Sequence, residues 1–202
     1  MKRISLCLLI LVVLVTPVMA SEQLTEINTQ FTYKDKPIHP FLIRQFSNWC
    51  SDYRPPMTKT VDVSAAFDTN QYQLSEIKKR NDWLFSEKVE RDGEYRFYES
   101  FHYHWLGKMG NNIHVLETGA NGGGSGFFMD LMFVRFFEDE IMWEEKKEKQ
   151  LLMSIIGIYS LGDRYEGDIK VYANKVIIPA SKNQYGGGAI DKDVELKISS
   201  IK

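Results

Sequence analysis

From Thr58 to the C-terminus, apolar and polar residues alternate in short runs broken by turn residues. That period of two marks strands with one buried side. In "TKTVDVSAAFD", Val61, Val63, Ala65 and Phe67 alternate with Asp62, Ser64 and Asp68, which predicts a strand through the whole run. "DWLFSEKV" and "EYRFYESFHYHWL" flank "ERDGE", whose Asp92-Gly93 predicts a hairpin turn. In the second run Tyr95, Phe97, Phe101, Tyr103 and Trp105 share one parity. Arg96, Tyr98, Ser100, His102 and His104 share the other. An aromatic face backed by a polar one fits an antiparallel sheet buried on one side.

Further runs continue the pattern. "NIHVLETG" follows the predicted turn "LGKMGNN", and "GFFMDLMFVRFFE" is an aromatic and branched stretch. "GDIKVYANKVIIPA" reads as a hairpin about Ala173-Asn174-Lys175, and "DVELKISS" alternates near the end. "LLMSIIGIYSLGD" fits a buried strand or a helix, because periodicity does not separate short apolar runs. "QLSEIKKRND" fits neither pattern decisively.

Helical spacing occurs twice. In "KPIHPFLIRQFSNWC", Leu42 or Ile43, Phe46 and Trp49 line one face, with Pro40 in the first turn, where its missing N–H is harmless. "DEIMWEEKKEKQ" is the second predicted helix, its mixed charges forming a solvated face. The sum is about eight to ten strands with closely spaced turns, a mainly β chain: an antiparallel β-sandwich or barrel with one or two short helices.

The N-terminus, "MKRISLCLLILVVLVTPVMA", changes the picture by placing the protein outside the cytosol. Lys2 and Arg3 precede an apolar stretch from Ile4 to Val15, and Val18-Met19-Ala20 is a small-residue cleavage pattern. Residues 1–20 are therefore expected to be a signal peptide, and residues 21–202 a single exported β-rich domain, periplasmic or secreted. The apolar stretch is shorter than the roughly 20 residues that span a bilayer. No second stretch of that length follows, so no stable membrane insertion is expected once the signal is removed. Cys7 leaves with the signal, so Cys50 is the only cysteine of the mature chain and forms no internal disulfide. It is either a buried small hydrophobe or a thiol bridging two chains. The chain lacks Asn-x-Ser/Thr, which fits a bacterial type of export. With 25 basic against 27 acidic residues the net charge is −2, which offers no basic surface for nucleic acid.

"GANGGGSGFFMD", Gly119 to Asp130, resembles a phosphate loop at first sight. A P-loop would place Lys and Ser or Thr after its last glycine, and Phe127 and Phe128 stand there. The dinucleotide pattern started at Gly122, and a nucleophile elbow centred on Ser125, both need glycine at position 127. The stretch is predicted to be a turn between strands, as is Gly186 to Gly188. Ser75-x-x-Lys78 lacks the companion motifs of a serine acyl-transfer site. Nothing in the sequence brings Cys50 and His39 together as a thiol–imidazole pair.

One arrangement carries metal chemistry. His102 and His104 lie two apart and share a strand face. If Trp105 pairs with Ile113, His104 stands opposite His114 with Cβ atoms about 5 Å apart. His102, His104 and His114 would then converge as a three-histidine zinc site requires. A two-residue slip would put Leu116 opposite His104 instead. Three functional expectations follow. The first is a non-enzymatic exported β-domain that binds an envelope or secreted protein, or a glycan stacked on tryptophan and tyrosine rings, without a cofactor. The alternative is a metal-binding protein or metal-dependent enzyme using the histidine cluster. A carrier with an apolar cavity inside a barrel is a third.

Overall fold

The computed structural model describes residues 30–47, 58–68, 75–92, 95–143, 146–181 and 190–200. The proposed signal at 1–20, Cys50, Gly93 and Gly186 to Gly188 lie outside the described residues. The described residues are mainly β, with antiparallel sheets and two short helices, α1 (Pro40–Arg44) and α2 (Val63–Asp68). Five long strands follow one another as a meander: β5 (Trp83–Asp92), β6 (Tyr95–Met109), β7 (Ile113–Asn121), β8 (Phe128–Trp143) and β9 (Lys146–Asp163). β3 (Thr60–Asp62) and β4 (Lys78–Arg80) close the flanks, giving a seven-stranded sheet of order β3-β9-β8-β7-β6-β5-β4, curled into a half-barrel. β10 (Lys170–Val171), β11 (Lys175–Ile178) and β12 (Val194–Lys197) form a three-stranded sheet. β1 (Thr32–Tyr33) and β2 (Lys36–Pro37) form a small ribbon. Among the described residues no helix is long and apolar enough to cross a membrane.

The large sheet is covered on both faces. Against one face lie the N-terminal ribbon and both helices, through Phe31, Tyr33, Leu42, Phe46 and Val63, meeting Phe101 and Tyr103 of β6. Against the other lie Tyr165, Ile169, Val176 and Ile178, meeting Ile113, Val115 and Phe133. β7 is therefore buried on both sides, from Ile113 to Ala120. This central position draws polar side chains inside: His114, Glu117 and Thr118 are all buried.

Buried polar groups hold the N-terminal layer in place. The Tyr103 hydroxyl donates to the Ile38 carbonyl at 2.7 Å, and burial pushes its phenol pKa far up. His39 caps α1, its Nδ1 accepting from the Phe41 N–H at 3.1 Å. Nε2 of the same ring then carries the proton and donates to the Ser75 carbonyl at 2.7 Å. Burial lowers the His39 pKa, which keeps this neutral tautomer.

Three expectations from periodicity are corrected. The strand predicted through "TKTVDVSAAFD" stops at Asp62, where the Asp62 carboxylate accepts from the Ala65 N–H at 2.9 Å and starts α2. Where a helix is predicted over "DEIMWEEKKEKQ", residues 139–143 and 146–150 are instead the paired outer ends of β8 and β9. There Glu140 stands opposite Lys149, with Lys147 Nζ 3.3 Å from the Glu140 carboxylate. The predicted turn "LGKMGNN" contracts to Gly110–Asn112, because β6 continues to Met109 through a bulge at Leu106. β5 and β6 pair antiparallel out to Asp92↔Tyr95, the hairpin about Ala173-Asn174-Lys175 forms as expected, and "LLMSIIGIYSLGD" is strand.

Candidate functional site

The bulge at Leu106 decides where the histidines point. Trp105 pairs with Leu116, and after the inserted residue Gly107 pairs with Val115 and Met109 with Ile113. The Trp105–Ile113 register is thus not adopted, and His114 stands opposite Lys108. His114 faces the N-terminal layer, its ring 5.3 Å from Phe31, 5.4 Å from Phe136 and 6.1 Å from Trp105. Burial, reinforced by the Lys108 charge, lowers its pKa to about 4. His102 and His104 face the opposite side of the sheet, so the three imidazoles do not converge. Glu117 takes the place expected of His114: it is paired with His104 across the strands, its carboxylate 3.8 Å from Nδ1. Among the described residues no group of three or more His, Cys, Asp or Glu is placed to hold a metal ion.

On the His102 side the sheet carries an open cleft of about 670 Å³. Its floor is strand-borne: Trp83, Phe85 and Glu87 from β5, Ser100 and His102 from β6, and Asn121 at the end of β7. Phe127 and Met129 form one wall, and Arg164, Tyr165 and Glu166 another. His102 stacks on Phe85, centroids 4.9 Å apart and planes within 9°, and meets Phe127 edge-on at 5.0 Å. Its Nε2 lies 3.0 Å from the Ser100 hydroxyl. Burial between those rings lowers its pKa to about 4, Glu87 opposing and Arg80 adding to the shift. The imidazole is therefore neutral at neutral pH, able both to donate and to accept.

The glycine stretch is a turn, and a pinned one. Gly123 takes a positive φ of 93°, and its N–H donates to the Asn121 side chain at 2.7 Å. The Phe127 N–H donates to the Asp163 carboxylate at 2.8 Å, and the Arg164 N–H returns a bond to the Phe127 carbonyl at 2.9 Å. The Arg164 guanidinium bridges the Asp163 carboxylate and the Ser125 carbonyl. Phe127 is thus held at both ends as a cleft wall. Gly119, the cross-strand partner of His102, leaves the space over which the Phe127 ring lies; a Cβ there would collide with the ring. Gly119→Ala is expected to push Phe127 off the sheet at about 1–3 kcal/mol. The check is thermal unfolding together with the ring-current shifts that Phe127 imposes on His102. An unchanged His102 environment would contradict this placement.

The charges of the cleft largely cancel. Lys78 Nζ is 2.5 Å from Glu87, and Arg164 is 2.8 Å from Asp163. Arg80 and Glu166, one of each sign, remain on the rim. The Tyr165 hydroxyl donates to the Pro179 carbonyl at 2.9 Å, and burial, with the Glu117 charge next, pushes its pKa up to about 12. Sequence reasoning singles out His102 but misses Phe127 and Gly119, which the pattern assigns to a strand and a turn. No protein family, curated protein or solved structure matches this chain.

Proposed function

We propose that this is an exported, non-enzymatic β-domain that binds a glycan in the cleft between the β5–β6 ribbon and Phe127. One observation carries the reading. Trp83, Phe85 and Phe127 offer ring faces and edges beside the neutral hydrogen-bonding groups Ser100, His102 and Asn121, within a surface whose charges nearly cancel. Sugar rings combine an apolar body with a polar edge and suit such a lining. A strongly anionic or cationic ligand would want an excess of one sign. Export rests on residues 1–20.

A neutral and acidic glycan array probed with the purified protein tests the proposal, with Phe127→Ala as the control. Binding to neutral glycans is expected, weakened roughly tenfold or more in the variant, the equivalent of about 1.4 kcal/mol. An array without any signal for the unaltered protein, or equal binding by the variant, would contradict it.

A further inference from the structure

The cleft face does not end at the cleft. β5 and β6 pair without register shifts from Leu84↔Tyr103 to Asp92↔Tyr95. Side chains two residues apart on a strand share a face. The face that carries Phe85 with His102, and Glu87 with Ser100, therefore carries Val89 with Tyr98 as its next rung. Both are conspicuous for large apolar side chains: Val89 is 51 % exposed and Tyr98 57 %. They stand past the end of β7, whose last residue, Asn121, pairs with Ser100.

This projecting ribbon is braced from behind. On the opposite face Glu99 accepts from Arg44 Nε of α1 at 2.5 Å, and Arg44 also donates to the Ser47 carbonyl at 3.1 Å. Alongside, Gly123 sits so near the ribbon that a Cβ would lie 3.3 Å from the Tyr98 carbonyl. The Tyr98 ring is thus presented to solvent on a supported strand, in line with the cleft floor.

We infer that the glycan is an extended chain and that Tyr98, with Val89, forms an outer stacking subsite for it. The inference rests on the cleft reading above. From Trp83 to Val89 the strand advances roughly 20 Å at about 3.3 Å per residue, far more than one sugar ring covers. Continuity with the cleft argues for the same occupant, since the intervening rung has Ser100 to hydrogen-bond and a Glu87 already neutralised by Lys78.

The test is calorimetric titration of the full chain with chito-oligosaccharides from monomer to hexamer, on the unaltered protein, Tyr98→Ala and Tyr98→Phe. Affinity is expected to rise roughly tenfold or more from dimer to hexamer in the unaltered protein. Tyr98→Ala should abolish that rise and leave dimer binding unchanged, while Tyr98→Phe retains it. If the unaltered protein binds dimer and hexamer equally, or Tyr98→Ala keeps the full rise, the outer subsite is wrong and the cleft reading stands. If no member binds, both fall.

Discussion

Phe133→Ala is expected to lower the unfolding free energy by about 3–5 kcal/mol, and Phe101→Ala, on the other face of the sheet, by a similar amount. Phe133 is 2 % exposed and sits among Ile113, Val115 and Val176; Phe101 is 1 % exposed and sits among Tyr103, Leu42 and Phe46. Each truncation removes a large ring from a site with little freedom to collapse, so lost transfer energy and a residual cavity add. Stabilities of about 5–15 kcal/mol leave little margin for either change. The two layers share β7, whose residues contribute to both. Their loss should therefore be one event: denaturant curves for both variants should shift in midpoint with the slope retained. Two separated transitions, one sensitive to Phe101 and the other to Phe133, would show that the layers are energetically independent.

Acid is expected to destabilise the fold before most carboxylates titrate, and His114 is the main reason. Its folded pKa is lowered to about 4 by burial among aromatic rings, with Lys108 adding to the effect, against 6.5 when exposed. The unfolded chain therefore takes up a proton as pH falls below about 6.5 while the folded chain does not. The contribution of a neutral His114 is complete above pH 6.5 and is lost progressively as pH falls from there to about 4, on the order of 3 kcal/mol in total. His102 shifts in the same direction to about 4, but it lines the open cleft and counts for less; His39 is lowered too. Unfolding free energies measured from about pH 7 to pH 4 on the unaltered protein and on His114→Phe provide the check. The variant should lose most of the slope between pH 6.5 and 4.5. Identical slopes would contradict the burial of His114.

The β character of the chain was legible because alternation survives wherever one strand face is wet, as in "DWLFSEKV" and "EYRFYESFHYHWL". The hairpin about Ala173-Asn174-Lys175 was legible through its turn residues. Two stretches misled for definable reasons. Val61, Val63, Ala65 and Phe67 match a period of two, but Asp62 is also a helix N-cap, and that local bond ends the strand. "DEIMWEEKKEKQ" groups its apolar residues as Ile141-Met142-Trp143 between charged ones, so it shows no period of two; Glu140 opposite Lys149 suits cross-strand pairing.

The histidine register turned on one residue. Gly107 fits the predicted turn "LGKMGNN", yet a glycine within a strand run also signals a bulge, and the inserted Leu106 turns the rest of β6 to the other face. That single step carries His114 into the core and brings Glu117 beside His104. The cleft itself was less legible still. It depends on Phe127 lying over Gly119, a contact between a loop and a strand that no periodic pattern encodes.

Everything functional here depends on sugar rings meeting the side of the half-barrel that bears Phe85 and Phe127. Amide chemical-shift mapping with chitohexaose reads that most directly. Changes confined to β5, β6, residues 119–129 and residues 163–166 are the expected result; changes centred on α1 and α2, or none at saturating sugar, would refute it.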